Sequence, residues 1–142
     1  MQMEQVNLEL TPKPRGVHLV TDEILSHLPS ITRYESGLLH LFLQHTSAAL
    51  SINENADPDV RLDTETFIDT LIPDGYEKFR HTLEGPEDMP AHLKSMIFGC
   101  QITIPISDKR VALGIWQGIY LIEARHHGGS RRIVATIHGN LL

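Results

Sequence analysis

The chain has 142 residues, a formal net charge of −6 and 41% hydrophobic residues, which predicts one domain with a core of its own. An acidic balance argues against a duplex-binding surface, which needs clustered Lys and Arg, and Arg131-Arg132 is the one basic cluster worth weighing. With no leader-like opening, no apolar run of about 18 residues and a single cysteine, Cys100, the expectation is a soluble cytoplasmic protein with neither a membrane nor a nucleic acid as partner.

Val6, Leu8 and Leu10 alternate with polar neighbours, so residues 4 to 11 read as a half-buried strand stopped by Thr11-Pro12-Lys13-Pro14. A short run from Val17 to Val20 suits a second strand. Thr21 then stands before Asp22 and Glu23 as a hydroxyl cap, and Ile24, Leu25 and Leu28 share one face of a short helix ending at Pro29. Leu38 to Gln44 is almost wholly apolar and predicts a strand covered on both faces, with His45 continuing the core-facing row of Leu39, Leu41 and Leu43. Ala48 to Asn53 follows as another strand. Asp57 as N-cap and Pro58 at the first helical position open a helix carrying Val60, Thr64, Phe67, Ile68 and Leu71 until Pro73.

Residues 73 to 90 form a long polar connection, and length of that kind points to function or disorder. Pro90 then opens a brief helix closed by Gly99, which places His92 in its first turn, where the helix dipole favours a neutral imidazole. Strands are expected over Gln101 to Ile106, over a long run from Arg110 to Ala124, and over Arg132 to His138 after the turn at Gly128-Gly129-Ser130. One face of the long run reads Val111, Leu113, Ile115, Gln117, Ile119, Leu121 and Glu123, so Gln117 and Glu123 require partners or a site. Paired strands with two or three helices between them, and no repeated βαβ rhythm, predict an α+β fold of stacked, mostly antiparallel sheets with the helices to one side.

The stretch His45 to Pro58 concentrates an imidazole, hydroxyls, amides and carboxylates between a strand and a helix start. His45, His81 and His92 stand apart from the other histidines by context. Converged around an open position they would hold zinc or a similar ion; otherwise they are hydrogen-bonded structural histidines. Glu54, fixed between strand and helix beside Asn53 and Asn55, suits a general base or a solvated turn. Gly128 to Arg132 suits a phosphate or a hairpin followed by surface charge, and Thr46 and Ser47 offer hydroxyls of the same use.

Several motifs in order give the chain a wider likeness. They are Gln44-His45-Thr46-Ser47-Ala48, Ile52-Asn53-Glu54-Asn55-Ala56-Asp57-Pro58, Arg80-His81 with Glu84-Gly85, Ala91-His92, Leu113 to Ile119, and Gly129-Ser130-Arg131-Arg132. Over nearly its whole length the chain resembles the YjbQ-like family, described as secondary thiamine-phosphate synthase enzymes. It departs from many relatives in Gly114-Ile115-Trp116-Gln117, which lacks a hydroxyl, and in the turn Ala124-Arg125-His126-His127-Gly128. The resemblance implies an α+β homotrimer with sites near subunit boundaries, each containing the His45, His81 and His92 cluster, on which a divalent metal, zinc or magnesium, is expected. It also implies action on a small phosphorylated substrate: hydroxymethylpyrimidine diphosphate alkylates the nitrogen of a thiazole phosphate and releases pyrophosphate. In that scheme Glu54 or Glu123 serves as base or behind the metal, Asn53 and Gln117 orient, and Thr46, Ser47, Arg131 and Arg132 hold phosphate. A metal-assisted phosphoryl or ester hydrolase and a non-catalytic trimer binding an anionic metabolite are the alternatives.

Overall fold

A computed structural model describes all 142 residues. In chain order the elements are β1 (Gln2–Leu10), β2 (Gly16–Leu19), α1 (Thr21–Ser26), a 3-10 turn (Pro29–Arg33), β3 (Tyr34–Leu43), β4 (Ala48–Glu54), α2 (Pro58–Leu71), α3 (Asp88–Phe98), β5 (Gln101–Ser107), β6 (Arg110–Val111), β7 (Gln117–Glu123) and β8 (Arg131–Leu141). They form an α+β fold of two antiparallel sheets. One has five strands in the order β1-β8-β3-β5-β6, the other three in the order β2-β7-β4.

Alternation along the strands builds the core between the sheets. Leu8 and Leu10, Leu39, Leu41 and Leu43, Ile104 and Ile106, and Ile133, Ala135 and Ile137 face inward from the larger sheet. Ala48, Leu50, Ile119 and Leu121 meet them from the smaller one, and Val20, Ile24 and Leu28 close one end. Each fully buried Leu or Ile contributes about 1.5 to 3 kcal/mol. On its other face the smaller sheet carries Ala49 and Ile122 against Ile68 of α2, with Phe98 of α3 beside them, so α2 and α3 lie on one side while α1 closes an end of the core.

Four local expectations are corrected. Thr21 does not cap α1: its hydroxyl accepts the amide of Ile119 in β7 at 2.8 Å, tying the helix start to the smaller sheet. β3 is covered on one face only, since Leu38 and Phe42 are exposed on the outer face. The run from Arg110 to Ala124 is not one strand. It breaks between β6 and β7, where the chain leaves the larger sheet for the smaller, and Ile115 and Trp116 are exposed in that crossing. Gly118 sits where a Cβ would stand 2.7 Å from the Leu19 side chain, so a glycine there lets β2 and α1 close over β7. Finally, α3 begins at Asp88, two residues before Pro90, and ends on Gly99 at φ +96°, a conformation that glycine adopts without strain.

Candidate metal centre

Starting α3 at Asp88 puts His92 one turn above it on the same helix face, because residues four apart are neighbours. Asp88 is 1% exposed. Its Oδ2 lies 2.7 Å from His81 Nε2 and 3.0 Å from His92 Nε2, while its Oδ1 accepts from Arg125 Nη1 at 2.7 Å. The long connection between α2 and α3 thus folds back far enough to bring His81 against the helix. The donor atoms of His81, Asp88 and His92 all lie within 4.8 Å of one another.

The hydrogen-bond logic of this cluster favours a cation. His92 Nδ1 is 2.8 Å from the carbonyl of Thr46, which can only accept, so Nδ1 carries the proton. In the neutral ring Nε2 then has a bare lone pair, yet it faces a carboxylate oxygen. A second proton or a metal ion must separate the two. An imidazole that donates its other nitrogen to a backbone carbonyl is the arrangement metal-ligating histidines adopt. Burial pushes the Asp88 carboxyl up, but hydrogen bonds with His81 and Glu84 and the charges of His92 and Arg125 outweigh it and hold the group below its ordinary value, so it stays anionic. Two imidazole nitrogens and one carboxylate suit zinc, whose bonds to such atoms run about 2.0 to 2.2 Å; magnesium prefers oxygen ligands and waters. Asp88 was missed by sequence reasoning. The signal was the Asp88-to-His92 spacing of four, hidden by starting the helix at Pro90.

His45 lies outside this group. Its Nε2 accepts the backbone amide of Arg132 at 2.7 Å. Partial burial and the neighbouring charges of Arg131 and Arg132 lower its pKa, with Glu123 opposing, so the ring is neutral. His45 and His92 nevertheless line one pocket of about 610 Å³, together with Phe42, Thr46, Met96 and Cys100.

The other proposed site residues go elsewhere. Glu123 and Arg131, 1% and 3% exposed, form a two-armed ion pair: Arg131 Nε donates to Oε1 at 2.7 Å and Nη2 to Oε2 at 2.5 Å. Arg131 Nη2 also reaches the hydroxyl and carbonyl oxygens of Ser47 at 3.0 and 3.1 Å. Glu123 is therefore no free base, and neither Arg131 nor Ser47 is available to a phosphate. The Arg132 side chain and Thr46 are exposed. Gln117 is exposed rather than buried, and its Oε1 accepts from the Gly114 amide at 2.8 Å.

Asn53, Glu54 and Gln117 lie at the far end of the smaller sheet, where Glu54 pairs with Gln117, whereas Ala48 pairs with Glu123 at the histidine end. β4 is fully extended between the two ends, a span of roughly 20 Å at about 3.3 Å per residue. The segment from His45 to Pro58 is thus not one site within a chain. Glu54 turns its carboxylate onto the amides of Ala56 and Asp57, and the Asn53 side chain accepts the amide of Glu54.

Comparison with known proteins agrees with the fold. Residues 6–140 match the family described as UPF0047 protein YjbQ-like. The chain is 52% identical to the UPF0047 protein YjbQ of Escherichia coli O157:H7 over 135 residues, covering 95% of this chain and 97% of that one. It is 38% identical to the UPF0047 protein YugU of Bacillus subtilis (strain 168) over 104 residues, 73% and 76% of the two chains. A solved structure of an uncharacterised YjbQ/UPF0047 protein from Clostridium acetobutylicum superposes with a TM-score of 0.78 at 30% identity, over 94% and 99% of the chains. A YbjQ-like protein of unknown function from Sulfolobus solfataricus P2 shares the fold with a TM-score of 0.84 at 21% identity, over 98% and 99% of the chains. With the match running from β1 into β8, the chain belongs to the YjbQ-like UPF0047 family.

Proposed function

We propose that this chain is a metal-dependent enzyme acting on a small phosphorylated substrate, with the ion on His81, Asp88 and His92 and the substrate in the adjoining pocket. The observation that carries the reading is His92 Nε2 facing a buried carboxylate oxygen at 3.0 Å, a gap that a cation can fill, with the imidazole locked from behind by the Thr46 carbonyl. When bound, a divalent ion there supplies Lewis acidity toward a phosphoryl oxygen or a water. Asp88 supplies negative charge and Arg125 fixes the direction of its free oxygen. The pocket walls are of two kinds: Phe42, Leu43, Met96 and Cys100 accept an apolar or ring portion, and His45, Thr46, His92 and Ser95 face a polar one.

Within that reading, the coupling of hydroxymethylpyrimidine diphosphate to a thiazole phosphate is the specific reaction the resemblance favours. A pocket with an apolar wall and a polar, metal-bearing wall suits a flat heterocycle carrying a departing pyrophosphate. A homotrimer would place further groups beside the pocket, and the Asn53, Glu54 and Gln117 corner, too far away within one chain, is a candidate contributor. The test is metal content and two assays on protein prepared without chelator. Stoichiometric zinc and thiamine-phosphate formation, both lost in His92→Ala and Asp88→Asn, are expected. Metal-dependent release of inorganic phosphate without coupling would assign a hydrolase instead. Protein that takes up no metal when zinc is supplied would return the histidines to structural duty.

A further inference from the structure

We infer that His45 serves as a neutral hydrogen-bond donor to the anionic part of the substrate, through Nδ1–H, and is not a ligand of the ion. The inference rests on the metal reading above, because it places His45 beside that ion. The Arg132 backbone amide can only donate, and it stands 2.7 Å from His45 Nε2. Nε2 is therefore the acceptor, and a neutral ring in that state has its proton on Nδ1. Such a ring has no lone pair to give a metal: one is committed to β8 and the other position carries hydrogen. Ligation through Nε2 would forfeit the bond to Arg132, and ligation through Nδ1 would need either an Nε2 proton pointed at an amide proton or an imidazolate.

His92 is held in the opposite tautomer. Its Nδ1 donates to the Thr46 carbonyl, which turns Nε2 toward Asp88 and the ion. Two imidazoles lining one pocket are thus set by two backbone groups, one to present a lone pair and the other an N–H. A cation site and an anion donor side by side match a phosphoryl or pyrophosphoryl group, whose oxygens can meet both at once. Burial first, and then the charges of Arg131 and Arg132, oppose protonation of the ring, with only Glu123 favouring it. A neutral donor keeps its proton bound to the ring and still polarises a phosphoryl oxygen.

Three measurements on the full chain test this. Nitrogen-15 shifts of the His45 ring in metal-free wild type should report the Nδ1-protonated tautomer; an Nε2-protonated ring would overturn the inference without any mutation. Zinc affinity, read by competition with a chromophoric chelator, should stay within about threefold of wild type in His45→Gln and fall by about 100-fold or more in His92→Ala. Equal loss in both variants would make His45 a ligand and overturn this inference while leaving the metal reading intact. Zinc retained at full affinity in His92→Ala would overturn the metal reading and this inference together. Inorganic pyrophosphate should bind zinc-loaded His45→Gln about tenfold more weakly than zinc-loaded wild type. Equal binding would overturn the donor role.

Discussion

Single residues separate the groups that hold this molecule together from those free to do chemistry. Glu123 looks like a candidate base in the sequence, but both its oxygens are engaged, by Arg131 and by the Arg125 amide. Glu123→Gln should therefore lower stability by about 3 to 5 kcal/mol, because it leaves a buried guanidinium unpaired; urea denaturation checks it, and a well-folded variant with only its turnover lost would contradict it. Lys94, buried in α3, has its ammonium 2.7 Å from Asp69, which also binds Arg15. Asp69→Ala should destabilise by about 3 kcal/mol, toward the low end because Asp69 is partly exposed, whereas Lys94→Met should cost little, since an apolar isostere leaves no charge stranded. The pH dependence follows from named groups. Burial pushes Asp69 and Glu87 up, but bonds from Lys94 and Arg15 to Asp69, and from His126 and Arg15 to Glu87, hold both below their ordinary values. Their contribution is complete above the ordinary carboxylate values and is lost as pH falls through the lowered ones. His45, lowered by desolvation and then by Arg131 and Arg132, adds a loss that begins as pH drops below its ordinary 6.5, where the unfolded chain takes up a proton the folded chain refuses. Chemical denaturation at stepped pH should show stability declining from neutrality downward, with His45→Gln flattening the first part of the decline.

Elements were legible in the sequence where a local rule decided them. Asp57 caps α2, its carboxylate accepting the Asp59 amide at 2.9 Å with Pro58 following, as the residue types imply. Asp57→Ala should cost about 1 kcal/mol in a urea titration. The same proline rule failed at α3. Pro90 is the third helical residue, and a proline is tolerated anywhere in the first turn because those amides have no partner inside the helix. Taking it as the first residue moves the helix start past Asp88 and conceals a candidate ligand. The apolar alternation from Val111 to Glu123 was real as a pattern, but alternation does not reveal that a chain changes sheets midway; the exposed Ile115 and Trp116 mark the place. The meeting of His81 with His92 depends on how a long loop folds back, which no periodicity encodes. The separation of Glu54 from His92 follows simply from β4 being extended, and contiguity in sequence misled there.

For the molecule as a whole, ligation should appear as stability. An ion present at about 100 times its dissociation constant adds about 2.7 kcal/mol if it ignores the unfolded chain, so zinc should raise the melting temperature of wild type and leave that of His92→Ala unmoved. Calorimetry with and without chelator decides it. The larger sheet has the order β1-β8-β3-β5-β6, so β8 lies between β1 and β3 and pairs with both. Refolding should be slow for the chain's size, in milliseconds to seconds, because these pairings are distant along the sequence. During synthesis β1 and β3 emerge long before the strand that joins them, and until then each presents open edges and a row of bare leucines to its surroundings. A ribosome that stalls within the Gly128-Gly129-Ser130 turn would therefore release an aggregation-prone fragment with every helix encoded and the strand that links β1 to β3 missing.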